Sequence, residues 1–202
     1  MEKMKSIARK LDVFFRICQI CVLIAAIAAG VALVLIAASF LFHLDPDVIG
    51  SGYHELEIGF LKLALNEGYF PSEQTVLIIS AAGLLMSAAL TMTLFAFIGC
   101  IRKILLPMKA GMPFANTHVQ LRHLAIYVLV LGALANVSNI IELYLVEKVY
   151  HLTELFVSEK VSSVIVQYDF NAAFIAISAV LLLLSYIFRY GEALQTLSDE
   201  TL

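Results

Sequence analysis

Charge is what this sequence is short of, and where it is missing matters more than the total. Only 14% of the 202 residues are Asp, Glu, Lys or Arg, against 61% hydrophobic, and the mean hydropathy is +0.93. A soluble domain of that composition would aggregate. The scarcity concentrates in four runs, Ile17 to Phe42, Thr75 to Ile101, Leu124 to Val146 and Phe170 to Phe188, which hold no charged side chain except Glu142. Catalytic signatures are missing too. There is no Gly-x-Ser-x-Gly, no phosphate-binding glycine loop, no His-Glu-x-x-His and no pair of carboxylates within the runs, which leaves an enzyme reading without its usual warrants. Cysteine is limited to Cys18, Cys21 and Cys100, so no disulfide is expected in the connectors that follow the first and third runs. No internal repeat is evident, and nothing resembles the broken helices or inverted halves of a secondary transporter.

What is present is a membrane pattern. A hydrocarbon core of about 30 Å needs about 20 helical residues to cross it, and all four runs come close to or exceed that length. Backbone groups in lipid must be satisfied within the segment, and the runs are too long and unbroken for barrel strands. The expectation is an all-α membrane protein, a four-helix transmembrane bundle formed by one domain over residues 1–202. Its spans are 17–42, 75–101, 124–146 and 170–188, its outer loops 43–74 and 147–169, and its inner loop 102–123. Orientation follows from the basic residues. Lys3, Lys5, Arg9, Lys10 and Arg16 precede the first span, and Arg102, Lys103, Lys109 and Arg122 lie between the second and third, whereas the other two connectors are mainly acidic. Short loops rich in Lys and Arg stay inside, so both termini are expected in the cytoplasm. The first span is too long for the core of a signal peptide and lacks a small-residue cleavage site, so it is expected to be retained.

The connectors carry local signals. Met4, Ile7, Ala8, Leu11, Phe14, Phe15 and Cys18 recur at helical spacing among basic residues, which fits either an amphipathic helix lying in the headgroup layer or a cytoplasmic helical extension of span one with snorkelling basic residues. In the first outer loop the apolar residues of Glu55 to Phe60 and of Lys62 to Leu65 alternate, and in the second Val164, Val166, Tyr168 and Phe170 do so. These predict a small extracytoplasmic β element built from both loops; short interfacial helices, notably over 149–157, are the competing reading. Gly111-Met-Pro-Phe114 reads as a turn, and Thr117-His-Val-Gln120 has the spacing of a capping box at the start of the third helix.

Chemistry has few candidates. Span three holds Asn136, Ser138, Asn139 and Glu142 on one broad face. Polar groups at that depth point into the bundle or a wet cavity. The preferred reading is an interhelical hydrogen-bond cluster with Glu142 at the outer interface; the alternative is an outward-opening polar pocket of a small transporter or channel-like subunit. Ala26 and Gly30, Gly83 and Ser87, and Ala172 and Ala176 place small residues at i and i+4, a pattern that packs helices within the bundle or, as the lesser reading, forms a homo-oligomer face. Cys18-Gln-Ile-Cys21 lacks the setting of a redox motif. His43, Asp45, Asp47 and His54 match no established metal spacing. No cofactor and no metal site is expected.

Two cytoplasmic patterns occur in order. Gly111, Pro113 and Phe114, followed by Leu121 and Arg122, precede span three, and Gly191, Leu194, Gln195 and Asp199 follow span four. Together they resemble the bacterial integral membrane family catalogued as domain of unknown function 2975 (YoaS-like), over essentially the whole chain. The resemblance implies a multi-pass protein of the bacterial cytoplasmic (inner) membrane with no assigned reaction. Members of that family are often encoded beside a small helix-turn-helix regulator, which implies a non-enzymatic sensor or membrane partner of a cytoplasmic transcriptional regulator. Direct nucleic-acid binding is not expected, because the basic residues border the bilayer and suit lipid. Glu192, Asp199 and Glu200 are expected to face Arg102, Lys103, Lys109 or Arg122 across the inner mouth.

Overall fold

The computed structural model describes residues 2–42, 55–58, 61–64, 73–110, 116–150 and 169–200. Long apolar segments become helices, here α1 (Glu2–Phe42), α2 (Glu73–Ala110), α3 (Thr117–Tyr150) and α4 (Ala173–Glu200). All four are long and apolar enough to cross a membrane, which makes the chain a multi-pass membrane protein. Each helix extends beyond the run that marked it. At 1.5 Å per residue α1 measures about 61 Å and α4 about 42 Å, both more than one hydrocarbon thickness. α1 runs without interruption from Glu2, so the basic amphipathic segment is helical and continuous with span one.

Two short strands, β1 (Glu55–Ile58) and β2 (Leu61–Ala64), pair antiparallel between α1 and α2, with Glu55 opposite Ala64 and Ile58 opposite Leu61. The corresponding expectation for 164–168, and most of the helix considered over 149–157, fall outside the described residues. Asp169 and Phe170 carry no strand, and Val149 belongs to α3, which moves the third helix's end past its expected limit.

The chain divides into two compact units. One comprises residues 28–87 and 137–169; its described core is Ala29, Ile36, Ser39 and Leu77. Ser39 donates its hydroxyl to Leu35 O at 3.1 Å, so a buried polar group is satisfied within its own helix. The other unit comprises residues 1–27, 88–136 and 170–202 and is centred on Ala8, Ile98, Cys100, Leu105 and Ala125. Thr91 and Thr93 back-bond to Ala88 O and Ala89 O in the same way.

Within this second unit α3 and α4 run antiparallel in a seven-residue register. Ser185 Oγ donates to His118 O at 2.8 Å, and Ser178 Oγ donates to Ala125 O at 2.9 Å. One more step of seven along α3 reaches Gly132, where a Cβ would come within 2.5 Å of Phe174 Cδ1 and nearer still to Phe174 Cγ and Cβ. Only glycine admits that ring. Small side chains and hydroxyl-to-carbonyl bonds are the means by which helices associate in lipid, where apolar surfaces gain nothing by meeting.

The small-residue pairs singled out in the sequence do not mark this contact. A Cβ at Gly30 or Gly83 would meet nothing within 4 Å among the described residues, and Ser87, Ala172 and Ala176 are exposed. Neither glycine is a point of close helix approach.

Candidate functional site

The polar side chains of the unit formed by residues 1–27, 88–136 and 170–202 gather at one set of helix ends and at the start of α4. On α1, Asp12 is the only acid between Lys3 and Arg16. Its carboxylate accepts from Arg102 Nε at 3.1 Å and from Lys109 Nζ, both on α2. Arg102 also donates from Nη1 to Gln19 Oε1 at 2.7 Å, so one guanidinium holds two points of α1 about two turns apart. Asp12 keeps 13% of its side-chain surface, and Arg102 and Lys109 about twice that. The expected partners for the α2 bases were acids beyond span four; the structure gives Arg102 and Lys109 the acid of α1. Asp12 was legible as the lone carboxylate in a basic segment, but the sequence alone did not say that it faces α2.

On the opposite pair of helices His118 Nδ1 and Glu192 Oε2 lie 2.6 Å apart. Glu192 is one step of seven beyond Ser185, so the same α4 stripe that bonds to α3 backbone ends on an α3 side chain. Cys100 of α2 directs its thiol at Gln120 O, 3.2 Å away, and at Gln120 Oε1, 3.5 Å away. That contact alters the expected capping box. Gln120 turns its amide oxygen toward α2, and its backbone N–H donates to Asn116 O at 3.4 Å, with Asn116 in the left-handed region at φ 58°. Asn tolerates that conformation better than most residues.

At the far end of this unit Asn136 and Asn171 form a reciprocal clasp. Asn136 Oδ1 accepts the Asn171 N–H at 2.9 Å, while its Nδ2 donates to Asn171 O at 3.2 Å and to Gly132 O at 2.8 Å. Asn171 Oδ1 in turn accepts the Ala173 N–H at 3.0 Å, the bond of a helix N-cap. Phe170 and Phe174 meet edge to face, with centroids 6.0 Å apart. Span three's polar set is therefore divided. Asn136 is buried and bonded, Ser138 is half-buried, and Asn139 and Glu142 are exposed. For Asn136 the interhelical hydrogen-bond reading fits.

The remaining candidates are quickly placed. Gly111, Pro113 and Phe114 lie outside the described residues, as do His43, Asp45, Asp47 and His54. Leu121 is half-buried, and Arg122, Gly191 and Leu194 are exposed; Gln195 and Asp199 lie on α4. Cys18 is half-buried and Cys21 exposed on α1, while Cys100 is buried on α2. Among the described residues no three His, Cys, Asp or Glu side chains gather as a metal site would require. The arrangement is a set of clasps between helix pairs, with acids drawn inward and bases such as Arg9, Lys10, Arg16, Lys103, Arg122 and Arg189 left exposed. No family model, curated protein or solved structure matches the chain.

Proposed function

We propose that the chain is a bacterial inner-membrane protein of the kind catalogued as domain of unknown function 2975, with both termini cytoplasmic, acting without catalysis as the membrane partner of a cytoplasmic helix-turn-helix regulator. The observation that carries this reading is the sorting of charge at the helix ends of the unit formed by residues 1–27, 88–136 and 170–202. Asp12 and Glu192 are taken up by Arg102, Lys109 and His118, while the bases named above stay exposed. A basic rim beside four spans suits the anionic inner leaflet and supports that side as cytoplasmic. Helices that outrun the bilayer carry the rim beyond it, where a soluble protein can dock.

On this reading the connector that contains β1 and β2 lies outside and meets the signal. A ligand there acts only through its differential affinity for two packings of the helices. Purification of the tagged full-length protein from native membranes tests the proposal. A soluble helix-turn-helix protein is expected to copurify, and deletion of the gene is expected to change the transcripts that this protein controls. Recovery of no regulator together with an unchanged transcriptome refutes it.

A further inference from the structure

The inner seam between α1 and α2 carries more positive charge than its acid can take up. Asp12 already accepts from both Arg102 and Lys109, and Arg102 directs a further N–H at Gln19. Arg9, Arg16 and Lys103 stand on the same two stretches of helix, are exposed, and have no carboxylate within ion-pair distance among the described residues. Five bases, Arg9, Arg16, Arg102, Lys103 and Lys109, thus share one acid. The α3–α4 end is closer to balance, with Arg122, Arg189 and His118 around Glu192.

The contacts of Asp12 and Gln19 fix where these bases stand. Asp12 meets Arg102 and Lys109, while Gln19 meets Arg102 and places its Nε2 3.4 Å from where a Cβ on Gly99 would lie. With the helices antiparallel in that register, Arg16 comes level with Arg102 and Lys103. Buried Ala8, Ile98 and Leu105 mark the inner side of the seam. At about 100° per residue, Arg9 and Arg16 follow Ala8 and Phe15 round to the outer side, and Lys103 lies on that side of α2, away from Ile98 and Leu105. The axes of packed helices are about 8–10 Å apart, so an arginine and a lysine facing outward across the seam can close on a single anion.

Depth and surroundings define that anion. Arg16 immediately precedes the charge-free run of α1, and Lys103 follows that of α2 by two residues. Both stand at the edge of the hydrocarbon, where long basic side chains reach into the phosphate layer. From Arg16 the same edge of α1 continues into the membrane through Ile20, Leu23 and Ile27, at steps of four, three and four, each between 46% and 59% exposed. On α2 the neighbouring Gly99 has no side chain, and among the described residues a Cβ there would meet nothing but Gln19 Nε2 within 4 Å. The seam is a shallow apolar trough with two cations at its mouth.

We propose that the outer side of the α1–α2 seam binds one anionic glycerophospholipid, its phosphodiester held by Arg16 and Lys103 and an acyl chain laid along the trough beside Gly99. Arg102, oriented by Asp12 and Gln19, backs the site with a fixed positive charge. The lipid's anion offsets the excess of bases. A zwitterionic lipid brings a cation of its own to the same bases and is selected against. The site rests on the membrane placement of the chain and needs no regulator, so it stands or falls independently of the docking role.

The full-length chain, purified in mild detergent and freed of lipid, is titrated with dioleoyl phosphatidylglycerol, dioleoyl phosphatidylcholine or inorganic phosphate, and bound lipid is counted by native mass spectrometry. Saturation at one phosphatidylglycerol per chain is expected, with a preference over phosphatidylcholine of about tenfold or more. Arg16→Gln combined with Lys103→Gln is expected to weaken phosphatidylglycerol binding by about tenfold or more, whereas Arg122→Gln combined with Arg189→Gln, which removes equal charge from the α3–α4 end, changes it by less than about twofold. Equal loss in the two pairs means diffuse attraction to charge and overturns the proposal. So do equal binding of the two lipids, uptake that passes one lipid per chain without a break, and displacement of phosphatidylglycerol by an equal concentration of inorganic phosphate. Melting in lipid-free detergent is expected to be the same for both pairs as for the native chain, which separates lost lipid from lost fold. Should the neutral pair melt early, Arg16→Lys combined with Lys103→Arg keeps both charges and is expected to keep the preference for phosphatidylglycerol over phosphatidylcholine, while Arg16→Gln and Lys103→Gln singly each weaken binding; single variants that bind as the native chain overturn the proposal.

Discussion

Replacing Gly132 by alanine tests the antiparallel register of α3 and α4 at its tightest point. The added methyl would stand 2.5 Å from Phe174 Cδ1 and closer to Phe174 Cγ and Cβ, where ordinary contact begins at 3.4 Å. Because Phe174 Cβ is fixed to the α4 backbone, rotation of the ring alone does not clear the clash. The two helices must part by about 1 Å or more, since packed interiors hold no slack of that size. Three interhelical bonds adjoin the contact: the two between Asn136 and Asn171, at 2.9 and 3.2 Å, and Ser178 Oγ to Ala125 O, at 2.9 Å. A parting of about 1 Å carries all of them past the useful limit of about 3.5 Å. Interhelical hydrogen bonds in membranes average about 0.6 kcal/mol, so their loss comes to about 2 kcal/mol. Overpacking adds about 1–3 kcal/mol, for a total of about 3–5 kcal/mol. Reversible unfolding in mixed micelles measures it. Phe174→Ala removes the ring and leaves its Cβ, so the double variant is expected to recover part of the loss, with a coupling of about 1 kcal/mol or more. A Gly132→Ala protein as stable as the native one, or strictly additive single effects, would refute the register.

Asp12→Ala leaves Arg102 and Lys109 facing each other without their carboxylate. Both bases are more than a quarter exposed, so solvent tempers the loss to about 1–3 kcal/mol at low ionic strength. Melting measured across a salt series should show the deficit shrinking as repulsion is screened, and a deficit independent of salt would count against the ion cluster. Asn171→Ala removes the side-chain oxygen that caps α4 and leaves the two backbone bonds to Asn136 in place, with an expected cost of about 1 kcal/mol. Amide exchange at Ala173 should quicken in that variant; unchanged exchange there contradicts the cap.

Each apolar run lies largely within one of the four helices because lipid imposes length and apolarity on any crossing segment, and both can be read from residue types. The extensions were harder to see. Residues 2–16 of α1 and 189–200 of α4 are helical without being uniformly apolar, and hydropathy marks the part of a helix in lipid but not where it stops. The close contact at Gly132 was hidden for a related reason. Gly30 and Gly83 sit in small-residue patterns as good as any, yet face open space, while Gly132 meets a bulky ring with no patterned neighbour. Pairing across helices depends on rotation about each axis, which sequence spacing leaves undetermined when both candidate faces are apolar. Asp12 and Asn136 were distinctive by type and position, but their partners, Lys109 and Asn171, lie 97 and 35 residues away.

Contacts that recur every seven residues on both α3 and α4 act as a vernier. His118 with Ser185, Ala125 with Ser178, and Gly132 with the start of α4 engage together, and all are lost together if one helix slides. The next position at which the two scales coincide is about 10 Å along the axis. Thermal motion does not cover that distance, so piston-like displacement is closed to this pair. Rocking about the common line of contact keeps every tooth engaged and stays open, which leaves tilt as the movement by which these two helices can report a change.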